Sequence, residues 1–249
     1  MKDIILSAID GAELKVKRAY RHIDELKGVI NSLREQGGKG FTVTNQLDGR
    51  TIVSFSDLGE LGRQIPLIIG DAIHNLRAPL DHIWMGLWRA SQREGYGTFP
   101  FHEERGNLED MVKKSAVVLA FPNVGDIILN KIKPYKDGNE LFWTITKLDK
   151  LDKHNLIIPT FTIRKIESAT FTTNRGGKTT IIDSHFGGDM PLARFRTADG
   201  MKIEQNGEIA LEVTFPKGDF LARKPVVETL INMAQATDEV VNLFRKTFS

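Results

Sequence analysis

The stretch "GDAIHNLRAPLDHIW", residues 70–84, is the part of the sequence from which the fold and the function are inferred. Residues that suit a hydrophobic core alternate there with histidine, aspartate, asparagine and arginine. At about 100° per residue on a helical wheel, the polar residues fall within an arc of roughly 160°, and the apolar residues take the other side. The segment is therefore predicted to be an amphipathic helix whose polar face is suited to holding a ligand. The polar residues are Asp71, His74, Asn75, Arg77, Asp81 and His82.

Two prolines lie in or beside this helix. Pro79 has no N–H to donate to the carbonyl of Asn75, so a kink or a free carbonyl is predicted there. Pro66 is expected to delimit a short first helix, which leaves residues 67–93 as the principal one.

Residues 2–35 are predicted to form one long helix, because apolar residues recur at alternating spacings of four and three. Such a heptad seam requires a partner helix, either from the same chain or from a second copy. The seam residues are Ile5, Ile9, Ala12, Val16, Ala19, Ile23, Leu26, Ile30 and Leu33.

The remaining patterns predict an α+β protein, a helical bundle with an antiparallel β-sheet region before its last helix. The runs "FTVTN" and "RTIVSFS" around "QLDG" indicate a β-hairpin at 41–55. The predicted division is a helical bundle with this hairpin at 1–154, a β-sheet region of five or six strands at 155–221, and a C-terminal helix at 222–249 that packs back on the bundle. Further helices are expected at 107–119, at 139–154 and from Pro225 to about 246.

Composition excludes some kinds of chemistry. The 249 residues include no cysteine, which rules out disulfides, thiolate metal sites and a cysteine nucleophile. The net charge of +2 permits a local nucleic-acid-binding patch but does not by itself argue for one. Neither a signal peptide nor a membrane-spanning run is expected, so a cytoplasmic protein without a membrane partner is predicted.

The residues "RAPLDH", 77–82, match the pattern R-x4-H. This motif on a helix resembles the active-site motif of HEPN-domain ribonucleases. The resemblance implies a homodimeric, metal-independent RNA endonuclease that needs no cofactor and acts as a toxin or in defence against phage. It makes His82 the acid and base, Arg77 the group that binds the scissile phosphate, and Asp81 a group that orients or tunes them. Histidine titrates near neutral pH and guanidinium pairs with phosphate, as this chemistry requires.

A wider set of motifs, "HNLRAPLDH", "FPF", "IKPY" and "LDKH", resembles a group of uncharacterised bacterial proteins. This likeness is spread over residues 69–154 and implies no activity.

A second polar cluster, "KLDKLDKHN", ends the helix predicted at 139–154. Basic residues there favour the negative end of a helix, which is a purely structural explanation. The functional explanation is that this end meets the polar face of 71–82 and that the two together bind substrate. The predicted substrate-binding residues are His74, Asn75, Lys133, Tyr135, Lys153 and His154.

Two alternatives remain open beside the nuclease. In the first, the polar face is a buried network in a non-catalytic binding or structural protein, with Arg77 and Asp81 as an i,i+4 ion pair. In the second, the protein is an enzyme that uses a divalent metal, because the i,i+3 spacing of a carboxylate and a histidine is found in helical-bundle metal sites. The candidate metal ligands are Asp71, His74, His82, Asp152 and His154.

Overall fold

The fold is taken from a computed structural model of the chain. It describes residues 1–35, 41–45, 50–55, 59–92, 97–155, 157, 160–173, 178–185, 192–196, 201–204, 209–215 and 221–249. The α-helices are α1 (Lys2–Glu35), α2 (Gly59–Ala90), α3 (Arg105–Lys113), α4 (Ala116–Ala120), α5 (Pro122–Asp126), α6 (Glu140–Asp152) and α7 (Val226–Phe248), and a π-helical turn (Ile127–Ile132) follows α5. The strands are β1 (Phe41–Asn45), β2 (Arg50–Phe55), β3 (Thr160–Thr173), β4 (Lys178–His185), β5 (Leu192–Arg196), β6 (Met201–Glu204) and β7 (Ile209–Thr214).

The chain divides into two compact units. The first contains residues 1–24, 68–157 and 228–249, and the second contains residues 25–67 and 158–227. The expected division placed the hairpin at 41–55 with the helical bundle. In the structure those residues belong instead to the second unit, because β2 pairs antiparallel with β1 on one side and with β5 on the other. The predicted turn at 46–49 lies outside the described residues.

In the second unit, β3 is the longest strand and has three partners. It pairs antiparallel with β4, β6 and β7. Its register with β7 shifts between Ile163 and Lys165, a bulge in the ladder.

The first unit is a helical bundle, in agreement with the helical part of the predicted fold. Helix α7 lies against α1, where the Arg245 guanidinium pairs with Asp10 at 2.5 Å and with Glu13 at 2.7 Å. It also lies against the start of α5, where Phe248 meets Phe121 edge to face with ring centroids 5.7 Å apart. None of the helices in the described ranges is long and apolar enough to cross a membrane.

The heptad seam of α1 is buried within the single chain. Its first eight residues are each at most 5% exposed, and Leu33 is half-buried. The seam is therefore used for packing inside the chain and is not free to bind a second copy.

Two predicted helices differ from the observed ones, and a third begins close to its predicted start. Helix α2 begins at Gly59 and passes through Pro66 without ending there. The helix predicted at 107–119 is divided in two, because the Ser115 side chain accepts a hydrogen bond from the Val117 N–H and starts α4 anew. Helix α6 begins close to its predicted start, where the Asn139 side chain accepts from the N–H groups of Leu141 and Phe142.

Candidate functional site on helix α2

The polar face of α2 carries two exposed histidines. His74 and His82 are eight residues apart, which separates them by about 12 Å along the helix axis. Both side chains are open to solvent, and the side chain of His74 is 54% exposed. Each histidine has a different set of neighbours, so the face presents two separate polar sites.

The first site, the His74 cluster, consists of His74, Asp149, Asp152 and Lys153. Nδ1 of His74 lies 3.1 Å from Oδ1 of Asp149, and Nζ of Lys153 donates to Oδ2 of the same carboxylate at 2.6 Å. Asp149 itself is buried. Because one aspartate joins a residue of α2 to the end of α6, the two predicted polar clusters do meet at this point.

Asp152 is the member of the His74 cluster whose carboxylate lacks a full set of partners. Its carboxylate lies directly over Gly70, where an added Cβ would come within 2.4 Å of either oxygen. Its Oδ1 atom is buried and has no hydrogen-bond partner among the described groups. Burial raises the pKa of Asp152, and the nearby charges of Asp149 and Asp71 raise it further, against a smaller lowering by His74.

We expect Asp152→Asn to raise the melting temperature at neutral pH. A carboxyl group whose folded pKa lies above the ordinary value of 3.8 binds its proton more tightly in the folded state, so its ionisation weakens folding as pH rises through the folded pKa. The amide removes that charge, and the gain should vanish near pH 3.8, where the unfolded group also begins to protonate. Thermal melts at both pH values, with the exposed Asp137→Asn as matched control, measure this. A lower melting temperature for Asp152→Asn at neutral pH would contradict it.

Arg77 is enclosed by the protein and does not face a groove. It is 8% exposed, and its Nη1 lies 2.8 Å from Oδ2 of Asp81. This contact is an ion pair and not an aligned hydrogen bond, since no described group accepts from Nη1 in good geometry. The guanidinium carbon lies 4.4 Å from the centre of the Phe101 ring, a cation–π contact. The guanidinium predicted to bind the scissile phosphate is therefore held by Asp81 and Phe101 in the single chain.

Asp81 joins Arg77 to the segment that follows α2. Its Oδ1 accepts the N–H of Phe99 at 2.8 Å, while its Oδ2 faces Arg77. The Phe99 ring in turn packs on Trp84, with centroids 5.9 Å apart. Asp81 is thus held by two partners.

The second site, the His82 groove, lies between the start of α1 and the second half of α2. It has a volume of about 730 Å³, and Ser7, Asp81, His82 and Arg89 are among the residues that line it. The two helices approach closely here, because Gly86 packs on Ala8 and Gly11 packs on the His82 ring. An exposed imidazole therefore sits at the edge of a groove between two backbones.

His82 is biased towards its neutral form. Partial burial lowers its pKa, and the positive charges of Lys15 and Arg89 lower it further, against a raising effect of Asp81. A histidine with a pKa below 6.5 is mostly unprotonated at pH 7, and its free ring nitrogen can accept a proton.

Four of the predicted substrate-binding residues do not reach either site. Asn75 is buried and donates to the Asp71 carbonyl at 2.8 Å, so it satisfies its own helix. Tyr135 is buried, with Gly138 packed on its ring. Lys133 is exposed at the end of the π-helical turn with φ of 54°, and His154 is exposed after the end of α6.

The candidate metal ligands do not converge. His82 lies in its own groove, away from Asp71, His74 and Asp152, and His154 makes no side-chain contact with them among the described residues. Within the described ranges, no group of three histidine, aspartate or glutamate side chains is arranged to hold a metal ion.

Several residues of these sites were not predicted from the sequence. Asp149 supplies the buried carboxylate of the His74 cluster. Its i,i+4 spacing to Lys153 is the sequence signal that could have indicated this ion pair. Arg89 follows His82 by seven residues and so shares its face of α2, which helical periodicity indicates. The effect of the Lys15 charge on His82 has no local signal, because it depends on how α1 packs against α2.

Comparison of the chain with protein-family models, with curated proteins and with solved structures finds no match.

Proposed function

We propose that this protein is a metal-independent RNA endonuclease of the HEPN type, and that it cleaves RNA in the His82 groove. The observation that carries the proposal is an exposed imidazole with a lowered pKa, in a groove it shares with Arg89. A neutral imidazole beside a cation is the pair of groups that phosphodiester cleavage by internal attack requires.

The proposed step is a transesterification. His82 takes the proton of a ribose 2′-OH, and the 2′ oxygen attacks the adjacent phosphorus. The bond to the 5′ oxygen breaks, and that oxygen leaves with a proton from a second acid. The products are a 2′,3′-cyclic phosphate and a 5′-hydroxyl, so the step consumes no water, oxidant or metal.

The contacts of Arg77 give it a positioning role in this proposal. It is paired with Asp81, and Asp81 lies next to His82 and faces the same groove. Arg89 is exposed in the groove and takes over the contact with the phosphate. Arg77 thus acts through Asp81 and not on the substrate.

A homodimer supplies the second acid. In the resemblance to HEPN ribonucleases the motifs of two copies face each other, so the histidine of a second copy, in its protonated form, protonates the leaving oxygen. Because the α1 seam is already buried, the dimer contact is assigned to the exposed face of α2. A cytoplasmic toxin or phage-defence role follows from the same resemblance.

The test is incubation of purified protein with total RNA in the presence of EDTA. We expect fragments with 2′,3′-cyclic phosphate ends, and a dimer in size-exclusion chromatography with light scattering. Cleavage that stops in EDTA and returns with a divalent metal would contradict the metal-independent mechanism.

A second candidate function is a non-catalytic binding protein of the same fold. The enclosure of Arg77 by Asp81 and Phe101 favours it, since such a network holds helices together without any substrate. Intact RNA under all metal conditions would support this candidate against the nuclease.

The acid side of the pH profile tests the state of His82. Because the folded pKa lies below 6.5 and the neutral form is required, kcat/KM should persist below pH 6.5 and be lost as pH falls through the lowered pKa. Lys15→Gln removes one lowering charge and should move this limb upward. Lys17→Gln, on the same helix, is the matched control and should leave it in place; a limb unmoved by Lys15→Gln would refute the assignment to His82.

A further inference from the structure

A third opening lies apart from both histidine sites, between the segment after α2 and helix α6. Its volume is about 390 Å³, and it is lined by Phe101, His102, Glu103, Trp143, Lys147 and Lys150, together with a threonine. Two half-buried aromatic rings beside lysines are the combination with which proteins bind single-stranded nucleic acid: bases lie on rings and phosphates meet cations.

Lys147 already has partners within this pocket. Its Nζ donates to Glu103 at 2.5 Å and lies 5.4 Å from the centre of the Trp143 ring. This bond lowers the pKa of Glu103, so the carboxylate keeps its charge and holds Lys147 in place. Lys150 is exposed one turn further along α6 and has no ion pair among the described residues. It is therefore the cation that remains for an incoming anion.

Phe101 connects this pocket to the nuclease motif. Arg77 covers one face of its ring at 4.4 Å, so the rest of the ring is the part that lines the pocket. The same Arg77 pairs with Asp81, which lines the His82 groove. Two contacts, Phe101–Arg77 and Arg77–Asp81, thus join the wall of the pocket to the proposed site of cleavage.

We propose that this pocket binds one nucleotide unit of RNA, with the base against Phe101 and Trp143 and the phosphate on Lys150. The volume lies within the range of small-ligand pockets and suits a single nucleotide. The inference rests on the proposed function for its choice of ligand, because a site for one RNA unit beside the cleavage groove would position the strand. It adds a binding site to residues that the cleavage step does not use.

The test is isothermal titration of the full chain with adenosine monophosphate, adenosine and ribose 5-phosphate. We expect adenosine monophosphate to bind with a dissociation constant below about 1 mM, and each of the two fragments to bind more weakly, since each lacks one half of the contacts. Affinity for the nucleotide should fall as salt is raised. Absence of saturable binding by adenosine monophosphate would overturn the proposal.

Two variants assign the halves of the site. Lys150→Glu should weaken nucleotide binding about tenfold or more, because a charged hydrogen bond is replaced by repulsion. Lys114→Glu makes the same charge change at an exposed position outside the pocket and should bind like the unaltered chain. Phe101→Leu should weaken adenosine and leave ribose 5-phosphate unchanged. Equal affinities for Lys150→Glu and Lys114→Glu would refute the phosphate assignment.

The failure of this inference and the failure of the proposed function are distinguishable. Binding of the nucleotide by a chain that cleaves no RNA would support the nucleotide pocket and contradict the proposed nuclease function. Cleavage that depends on His82 in a chain that does not bind the nucleotide would support the nuclease function and contradict the nucleotide pocket.

Discussion

Replacing His82 by alanine is expected to reduce the rate of RNA cleavage by at least about 100-fold, which is the lower end of what a general acid or base contributes. The imidazole is exposed in the groove and packs on Gly11 of α1, where no side chain interlocks with it, so the variant should remain folded. The measurement is the initial rate of cleavage of a short RNA in EDTA. Thermal melting of each variant accompanies it, so that loss of the fold is not mistaken for loss of the base.

Two further measurements separate a proton-transfer role from a structural one. His82→Gln keeps a polar side chain but cannot titrate, so it should be as inactive as His82→Ala. Free imidazole added to His82→Ala should restore part of the rate, because it can enter the space that the side chain leaves. A His82→Gln variant that retains full activity would show that His82 is not the acid or base.

Gly86→Ala is expected to destabilise the protein by roughly 1–3 kcal/mol, the usual result of adding a methyl group to a tightly packed contact. An added Cβ at Gly86 would lie 2.3 Å from Cβ of Ala8, so the helices must separate or distort. The gain in helix propensity from glycine to alanine, about 1 kcal/mol, is included in this net figure. Chemical denaturation of both chains measures the difference.

The same contact provides its own control. In an Ala8→Gly background the methyl group that obstructs Gly86→Ala is absent, so the second substitution should be nearly neutral or stabilising. Gly28→Ala, also within a helix, meets no atom within 4 Å and should stabilise by about 0.5–1 kcal/mol. If Gly86→Ala costs the same in both backgrounds, the close approach of α1 and α2 at this point is wrong.

Local patterns were sufficient for several elements of this fold. The predicted helix at 2–35 has the bounds of α1, because a continuous apolar period with a glycine-rich end leaves few alternatives. The amphipathic character of 70–84 is likewise present in α2, where the residues predicted for the apolar side are buried: Ile73, Leu76, Leu80, Ile83, Trp84 and Leu87. In both cases neighbouring residues along the chain carry the information.

Helix α2 also shows where local rules fail. A proline inside a helix costs about 3 kcal/mol, and on that ground Pro66 was expected to end the first helix. In the structure Ile65, Ile68 and Ile69 are buried around it. Burial of each aliphatic side chain is worth about 1.5–3 kcal/mol, so tertiary packing outweighs the local penalty. The proline and the aliphatic residues can both be identified in the sequence. Whether burial outweighs the proline penalty depends on which residues cover the helix.

Helical periodicity, a property of neighbouring residues, is enough to place histidine, aspartate and arginine on one polar face of α2. The surroundings of each of these residues depend on how the helices pack. Arg77 is enclosed by Phe101, His74 is held by Asp149, and His82 remains open beside α1. The physical reason is that exposure and charge environment are set by residues distant in the chain, which a periodic pattern cannot identify.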